Sequence, residues 1–156
     1  MTDDIKFMQL AIELSKQAVI HGNEPFGAVL AKDDEVVFTN ENSIYTSNNP
    51  TAHAEMGLLS AFCSKTGISD LNEYTLYSSC EPCYMCSGAM VWFKLGRLVY
   101  GASDKDLSGI LNENGSECSA EVFAGSAFHR PEVTAGVLRD EAIKVLEDYF
   151  LKHNKG

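Results

Sequence analysis

No apolar run in this 156-residue chain approaches the ~20 residues needed to cross a bilayer. The first twenty residues carry Asp3, Asp4, Lys6, Glu13 and Lys16, which spoils the apolar core of a secretion signal. With Thr2 after Met1 and Asn154-Lys155-Gly156 at the end of the sequence, neither myristoylation nor prenylation is expected. Repeats with a period of roughly 20–50 residues are lacking, as are low-complexity tracts, and one domain over 1–156 is expected. Positive charge is scarce. Lys and Arg number 12 against 22 Asp and Glu, for a formal charge of −10. Such a surface repels phosphate backbones and anionic membranes, so neither a membrane nor nucleic acid is an expected partner.

Cysteine is present but badly arranged for disulfides. Cys63, Cys80, Cys83, Cys86 and Cys118 are odd in number, and three crowd into seven residues. Without a secretion signal, reduced thiols in a cytoplasmic protein are the default, and clustered thiols suggest metal binding or redox chemistry. Hydrophobic residues make up 45%, enough to build a packed core.

Periodicity predicts a first helix with Ile5, Met8, Ile12, Ser15 and Val19 on one face, capped within Thr2 to Asp4 and stopping at Gly22. Phe26 to Ala31 and Glu35 to Thr39 are β-prone runs about the turn Lys32-Asp33-Asp34, a hairpin. Asn49 and Pro50 predict the cap and first turn of a second helix running through Cys63. Tyr74 to Ser78 reads as a strand, Pro82 to about Lys94 as a helix, and Arg97 to Gly101 as another strand. Residues 103–120, rich in Ser, Asp, Asn and Gly, read as irregular. A short strand near Val133 precedes a last helix with Leu138, Ala142, Val145 and Tyr149 on one face. Helices alternating with strands indicate a layered α/β domain.

Two segments carry chemistry: Pro50-Thr51-Ala52-His53-Ala54-Glu55 and Cys80-Glu81-Pro82-Cys83-Tyr84-Met85-Cys86, each at a predicted helix start. Cys83 and Cys86, three apart, share a helix face, and helix N-termini favour thiolates. With His53 they make a three-ligand set suited to zinc, leaving one coordination position for water. Cys80 is the rival fourth ligand of a structural site; it lies on the strand side of Pro82, away from that face. A redox Cys pair would explain neither His53 nor Glu55. A carboxylate at Glu55, two residues from His53, can exchange protons with a zinc-bound water; alone it would read as a solvated first-turn glutamate.

His53-Ala54-Glu55 followed by Pro82-Cys83-Tyr84-Met85-Cys86 resembles the zinc-dependent nucleobase deaminases of the cytidine deaminase superfamily, along nearly the whole chain. The resemblance implies a three-layer α/β/α fold with a mixed sheet of about five strands. It implies one Zn2+ per chain on His53, Cys83 and Cys86, with Glu55 as the catalytic acid–base group in hydrolytic deamination and backbone at Ala54 and Cys83 stabilising the intermediate. A homodimer is implied as well, and the apolar stretch Met90 to Phe93 is either its interface or internal core.

The substrate signals divide. Pro25 to Val29, Asn42 to Glu55 and Ser78 to Cys83 are similar to bacterial guanine deaminases, in which Phe26 would stack on a purine, Asn42 bond its ring and Trp92 line the pocket. Phe26 reads equally as a hairpin core residue, Asn42 as a loop cap, and Trp92 as core or dimer contact. That branch also places an acid after the fourth strand, for which Asp104, Asp106 and Glu113 are candidates, with Asn114 at the expected place. It often ends in an aromatic residue, whereas this chain ends His153-Asn154-Lys155-Gly156. Val99 to Asp104 and Phe128 to Val133 resemble tRNA-specific adenosine deaminases instead. Lys144, Lys152 and Lys155 among Glu141, Glu147 and Asp148 make a poor RNA cradle, so a small-molecule purine base or nucleoside is the expected substrate. His21, His129 and His153 have no ligand spacing, Cys63 is expected to pack in its helix, and Cys118 has no assigned role.

Overall fold

The computed structural model describes residues 2–153. The tail Asn154-Lys155-Gly156 and the side chains of Thr2 and His153 lie outside that description. The order of elements is α1 (Thr2–Ile20), β1 (Gly27–Lys32), β2 (Glu35–Glu41), α2 (Ala54–Thr66), β3 (Thr75–Cys80), α3 (Tyr84–Trp92), β4 (Arg97–Ala102), α4 (Asp104–Leu111), α5 (Cys118–Gly125), β5 (Glu132–Ala135) and α6 (Arg139–His153). The strands form one mixed sheet in the order β2-β1-β3-β4-β5. β1 runs antiparallel to β2 and β3, while β3, β4 and β5 are parallel.

Strand alternation builds two cores. Ala28, Leu30, Leu76 and Leu98 point to one face, where Leu58, Leu59 and Phe62 of α2, Met90 of α3 and Phe123 of α5 cover them. Val29, Ala31, Tyr77 and Val99 point to the other, under Met8, Ala11 and Ile12 of α1 and Ala142, Val145 and Leu146 of α6. The result is the expected three-layer α/β/α fold. Gly27 sets the approach of α1 to β1: a Cβ there would lie 2.3 Å from the Ala11 carbonyl oxygen. Asp33 and Asp34, with φ of 52° and 61°, make the two-residue hairpin turn between the paired Lys32 and Glu35.

Three expectations are corrected. Ile5 is half exposed, and the buried stripe of α1 runs instead through Phe7, Met8, Ala11, Ile12, Ser15 and Ala18. The stretch 103–120 is not irregular. Ser103 opens α4 through a capping box with Asp106, which lets eight residues poor in helix formers hold a helix, and α5 follows from Cys118. The second helix begins at Ala54 rather than Pro50, because Asn49 accepts hydrogen bonds from the Thr51 N–H and hydroxyl and closes a turn there. Among the described residues no helix is long and apolar enough to cross a membrane.

Candidate metal centre and pocket

The late start of α2 makes His53 its N-cap residue, in extended conformation (φ −74°, ψ 155°). Cys83 has the same place on α3 (φ −67°, ψ 178°), and its sulfur accepts the Cys86 N–H at 3.5 Å. Both caps lie beside the carboxyl end of β3, and His53 Nδ1 sits 3.6 Å from the Cys83 sulfur and 3.7 Å from that of Cys86. All three ligand atoms fall within 4.8 Å of one another. Nitrogen and sulfur held about 2.05 and 2.3 Å from a tetrahedral zinc would lie about 3.6 Å apart, so the donor set fits that ion. Cys80 is buried in the core with α1 and α6, and burial raises its thiol well above the ordinary value; it is not among the converging ligands. A hydrogen bond from the Cys86 thiol is the largest influence lowering Cys83, to about 4, and the same bond drives Cys86 upward.

Glu55 is the second residue of α2 and only 6% exposed. Its Oε2 accepts the Ser78 hydroxyl at 3.1 Å, and that serine also reaches the Cys80 carbonyl. Burial raises its carboxyl from 4.5 to about 7; the Cys83 sulfur adds to the rise, while its own N–H, His53 and Ser78 oppose it. A carboxyl so placed can hold or release a proton near neutrality.

A cavity of about 170 Å³ opens onto this cluster, lined by Glu24, Phe26, Asn42, His53, Glu55, Cys80, Glu81, Cys83, Asp104 and Leu107. Phe26 both lines it and packs against the core, with its ring 6.3 Å from that of Phe150. Asn42 is buried and its Oδ1 accepts the Ile44 N–H, so the loop-cap and pocket readings hold together and Nδ2 is the group left to face a ligand. Ala54 is fully buried in the first turn of α2, where N–H groups lack intrahelical acceptors. Trp92 is not in this pocket. Nine residues of helix carry it roughly 13 Å along the axis from Cys83, and it stands 77% exposed with its ring 5.5 Å from Phe128.

Of the acids weighed after β4, Asp104 lines the cavity. Asp106 is bound up with Ser103 and Arg139, and Glu113 is exposed beyond α4. Sequence reasoning missed Glu81, a buried carboxylate inside the cysteine motif, and Glu24, which accepts the Tyr45 hydroxyl. The signal for Glu81 was its place between a buried strand end and Pro82, where a charged side chain needs partners. His21 pairs with Glu41 and His129 with the Leu95 carbonyl, ordinary roles for both; Cys63 is half-buried on α2.

Residues 1–102 match the cytidine and deoxycytidylate deaminase zinc-binding region. The chain is 36% identical over 157 residues to a tRNA-specific adenosine deaminase of Bacillus subtilis, covering 99% of this chain and 93% of that one. It is 40% identical over 101 residues to a guanine deaminase of the same bacterium, 64% of this chain and 65% of that one. A crystal structure of a protein in complex with 8-azaguanine superposes with a TM-score of 0.83 at 26% identity, covering 96% of this chain and 85% of that one.

Proposed function

The chain belongs to the cytidine and deoxycytidylate deaminase zinc-binding family, and from that premise we propose that it removes the exocyclic amine of a small purine base or nucleoside, guanine being the first candidate. The observation that carries the choice is the wall of the cavity: among the described residues Glu24, Glu55, Glu81 and Asp104 line it with no Lys or Arg, beside Phe26 and Asn42. An uncharged, amine-rich heterocycle suits that wall, the phenylalanine offering a stacking face and the asparagine a hydrogen bond. The 8-azaguanine bound by the structural relative supports a purine.

His53, Cys83 and Cys86 would hold the zinc. When bound, zinc supplies Lewis-acid chemistry that makes a water molecule acidic near neutral pH. In this reading Glu55 takes one proton from the attacking water and gives it to a ring nitrogen as the water oxygen bonds to the amine-bearing carbon; it then takes the second proton from that oxygen and gives it to the amine, which leaves as ammonia when its bond to carbon breaks. Ser78 restrains Oε2 meanwhile, so the carboxylate turns little between steps. Ala54 contributes a first-turn N–H to developing negative charge. Trp92 would reach a pocket only from a second copy of the chain, and the reading includes a homodimer, to be measured by light scattering. It also includes one deaminase domain over 1–156 working in the cytoplasm.

Editing of tRNA adenosine is the second reading, favoured by the full-length similarity to tRNA-specific adenosine deaminases. The basic side chains weigh against it. Arg97 is clamped by Asp4, Arg139 by Asp106, and Arg130 by two carbonyls, while Lys144 pairs with Asp148. Among the described residues Lys16, Lys32 and Lys105 also pair with carboxylates, so much of the positive charge is met by the chain's own acids before it can neutralise phosphates. The deciding experiment measures ammonia release from guanine, adenine, cytosine, their nucleosides, pterins and triazines, beside inosine formation in tRNA. Turnover of a free purine supports the first reading; inosine with tight, salt-sensitive tRNA binding and a silent panel removes it.

A further inference from the structure

We propose that Glu81 serves as an internal anion: it fills the helix N-termini bordering the pocket, holds Asp104 in the pocket wall and closes that wall to phosphorylated ligands. The proposal rests on the deaminase reading for its substrate arm. Helix N-termini gather unpartnered N–H groups and partial positive charge, the usual seat of a phosphate. Two of them, those of the eight-residue helices α4 and α5, converge on the buried Glu81 side chain. Oε1 accepts the Asp104 N–H at 3.0 Å. Oε2 accepts the Ser119 N–H at 3.1 Å and the Ser119 hydroxyl at 2.5 Å, with the Cys118 thiol 4.0 Å away.

The neighbouring donors are spent in the same way. Asp104 Oδ2 accepts the Ser116 N–H at 3.0 Å, and the N–H groups of Ser103 and Asp106 close the capping box. The N–H groups of Ser103, Asp104, Asp106, Ser116 and Ser119 at this wall therefore already meet the chain's own oxygens. Glu81 is itself anchored, since its N–H donates to the Ala102 carbonyl at 2.7 Å. Glu81 acts through Asp104, which makes it a positioning residue. A ligand phosphate at these helix starts would meet carboxylates and N–H groups that are already engaged, whereas a neutral base or nucleoside would not be opposed.

The test compares zinc-loaded wild type, Glu81→Ala and Glu81→Gln by ammonia release from a nucleoside and its 5′-monophosphate, with and without sodium formate. Calorimetric titration with formate and with inorganic phosphate accompanies it. In Glu81→Ala, KM is expected to rise about tenfold with kcat little changed, and formate to restore much of the loss by refilling the vacated seat. Wild type is expected to prefer the nucleoside over its monophosphate by about a hundredfold, a preference that shrinks about tenfold in Glu81→Ala. Glu81→Gln keeps an acceptor for Asp104 but not for both helices, so it supplies the KM readout if the alanine variant does not fold. The calorimetry needs no turnover: Glu81→Ala should bind one formate or phosphate more than wild type carrying the same zinc. Kinetics like wild type in both variants, equal use of nucleoside and monophosphate by wild type, or no additional anion binding by a folded Glu81→Ala would each overturn the proposal. Wild type that releases no ammonia at all would remove the deaminase reading instead, and the titration would still judge Glu81.

Discussion

Glu55→Gln should trade activity for stability, and both halves can be worked from the site. The carboxyl is 6% exposed with one hydroxyl partner, and burial lifts it from 4.5 to about 7. The folded state therefore holds the proton more tightly than the unfolded one. The resulting penalty is absent below about pH 4.5, grows as the pH rises and is complete above about pH 7. A rise of that size corresponds to about 3 kcal/mol at 1.36 kcal/mol per pH unit. The amide has no proton to lose, so in chelator-treated protein the variant should be more stable than wild type by about 2–3 kcal/mol at pH 9 and nearly equal to it at pH 4.5. Urea unfolding at the two pH values measures the difference. In the zinc-loaded protein the same change should retain about one zinc per chain and lower kcat by roughly 10²–10⁴-fold, about 3–5 kcal/mol of barrier. Turnover like wild type would refute the proton-transfer role. Equal stability at pH 9 would refute the account of what burial does to this side chain.

Cys86→Ser should lower bound zinc well below one per chain and reduce the melting temperature by several degrees, as chelation should in wild type; metal analysis and thermal scans measure both. Asp4→Asn breaks a partly buried cluster in which Arg97 grips both carboxylate oxygens at 2.9 and 2.7 Å and the Tyr77 hydroxyl adds a third bond at 2.6 Å. It should cost about 1–3 kcal/mol at pH 7. Arg97 holds the Asp4 carboxyl below its ordinary value of 3.8, so this stability is present above that pH and lost as acid carries the protein through the lowered value. A gap between wild type and variant that persists in strong acid would contradict the assignment. Gly27→Ala, which drives a Cβ to 2.3 Å from the Ala11 carbonyl, should cost more than about 2 kcal/mol in chemical unfolding.

Much of the fold was legible because its signals are local. Lys32-Asp33-Asp34 announced the hairpin turn, and β-prone runs on either side of it announced the strands. The cysteine spacing and His53 identified ligands that the fold brings within reach of one another. What stayed hidden depended on competition between local motifs. Pro50 promised a helix start, but the Asn49 side chain captured Thr51 first and moved the start to Ala54. Residues 103–120 looked irregular because Ser, Asp and Gly are weak helix formers, and a capping box offset that weakness. Trp92 and Asp104 show the limit from two sides. The helix axis of α3 carries the tryptophan away from the cavity, and the sheet carries the aspartate into it; neither displacement is written in residue spacing.

The N-cap position of His53 has one more consequence. That histidine gives α2 no side-chain cap of its own, and the carboxylate next in line belongs to the first turn that such a cap would steady. An ion held by His53, Cys83 and Cys86 would tie two helix origins together, so losing it would loosen the turn that carries Glu55. With Glu55 as the proposed proton carrier, cofactor loss and its misalignment would be a single event, and a protein emptied of zinc would be disarmed twice.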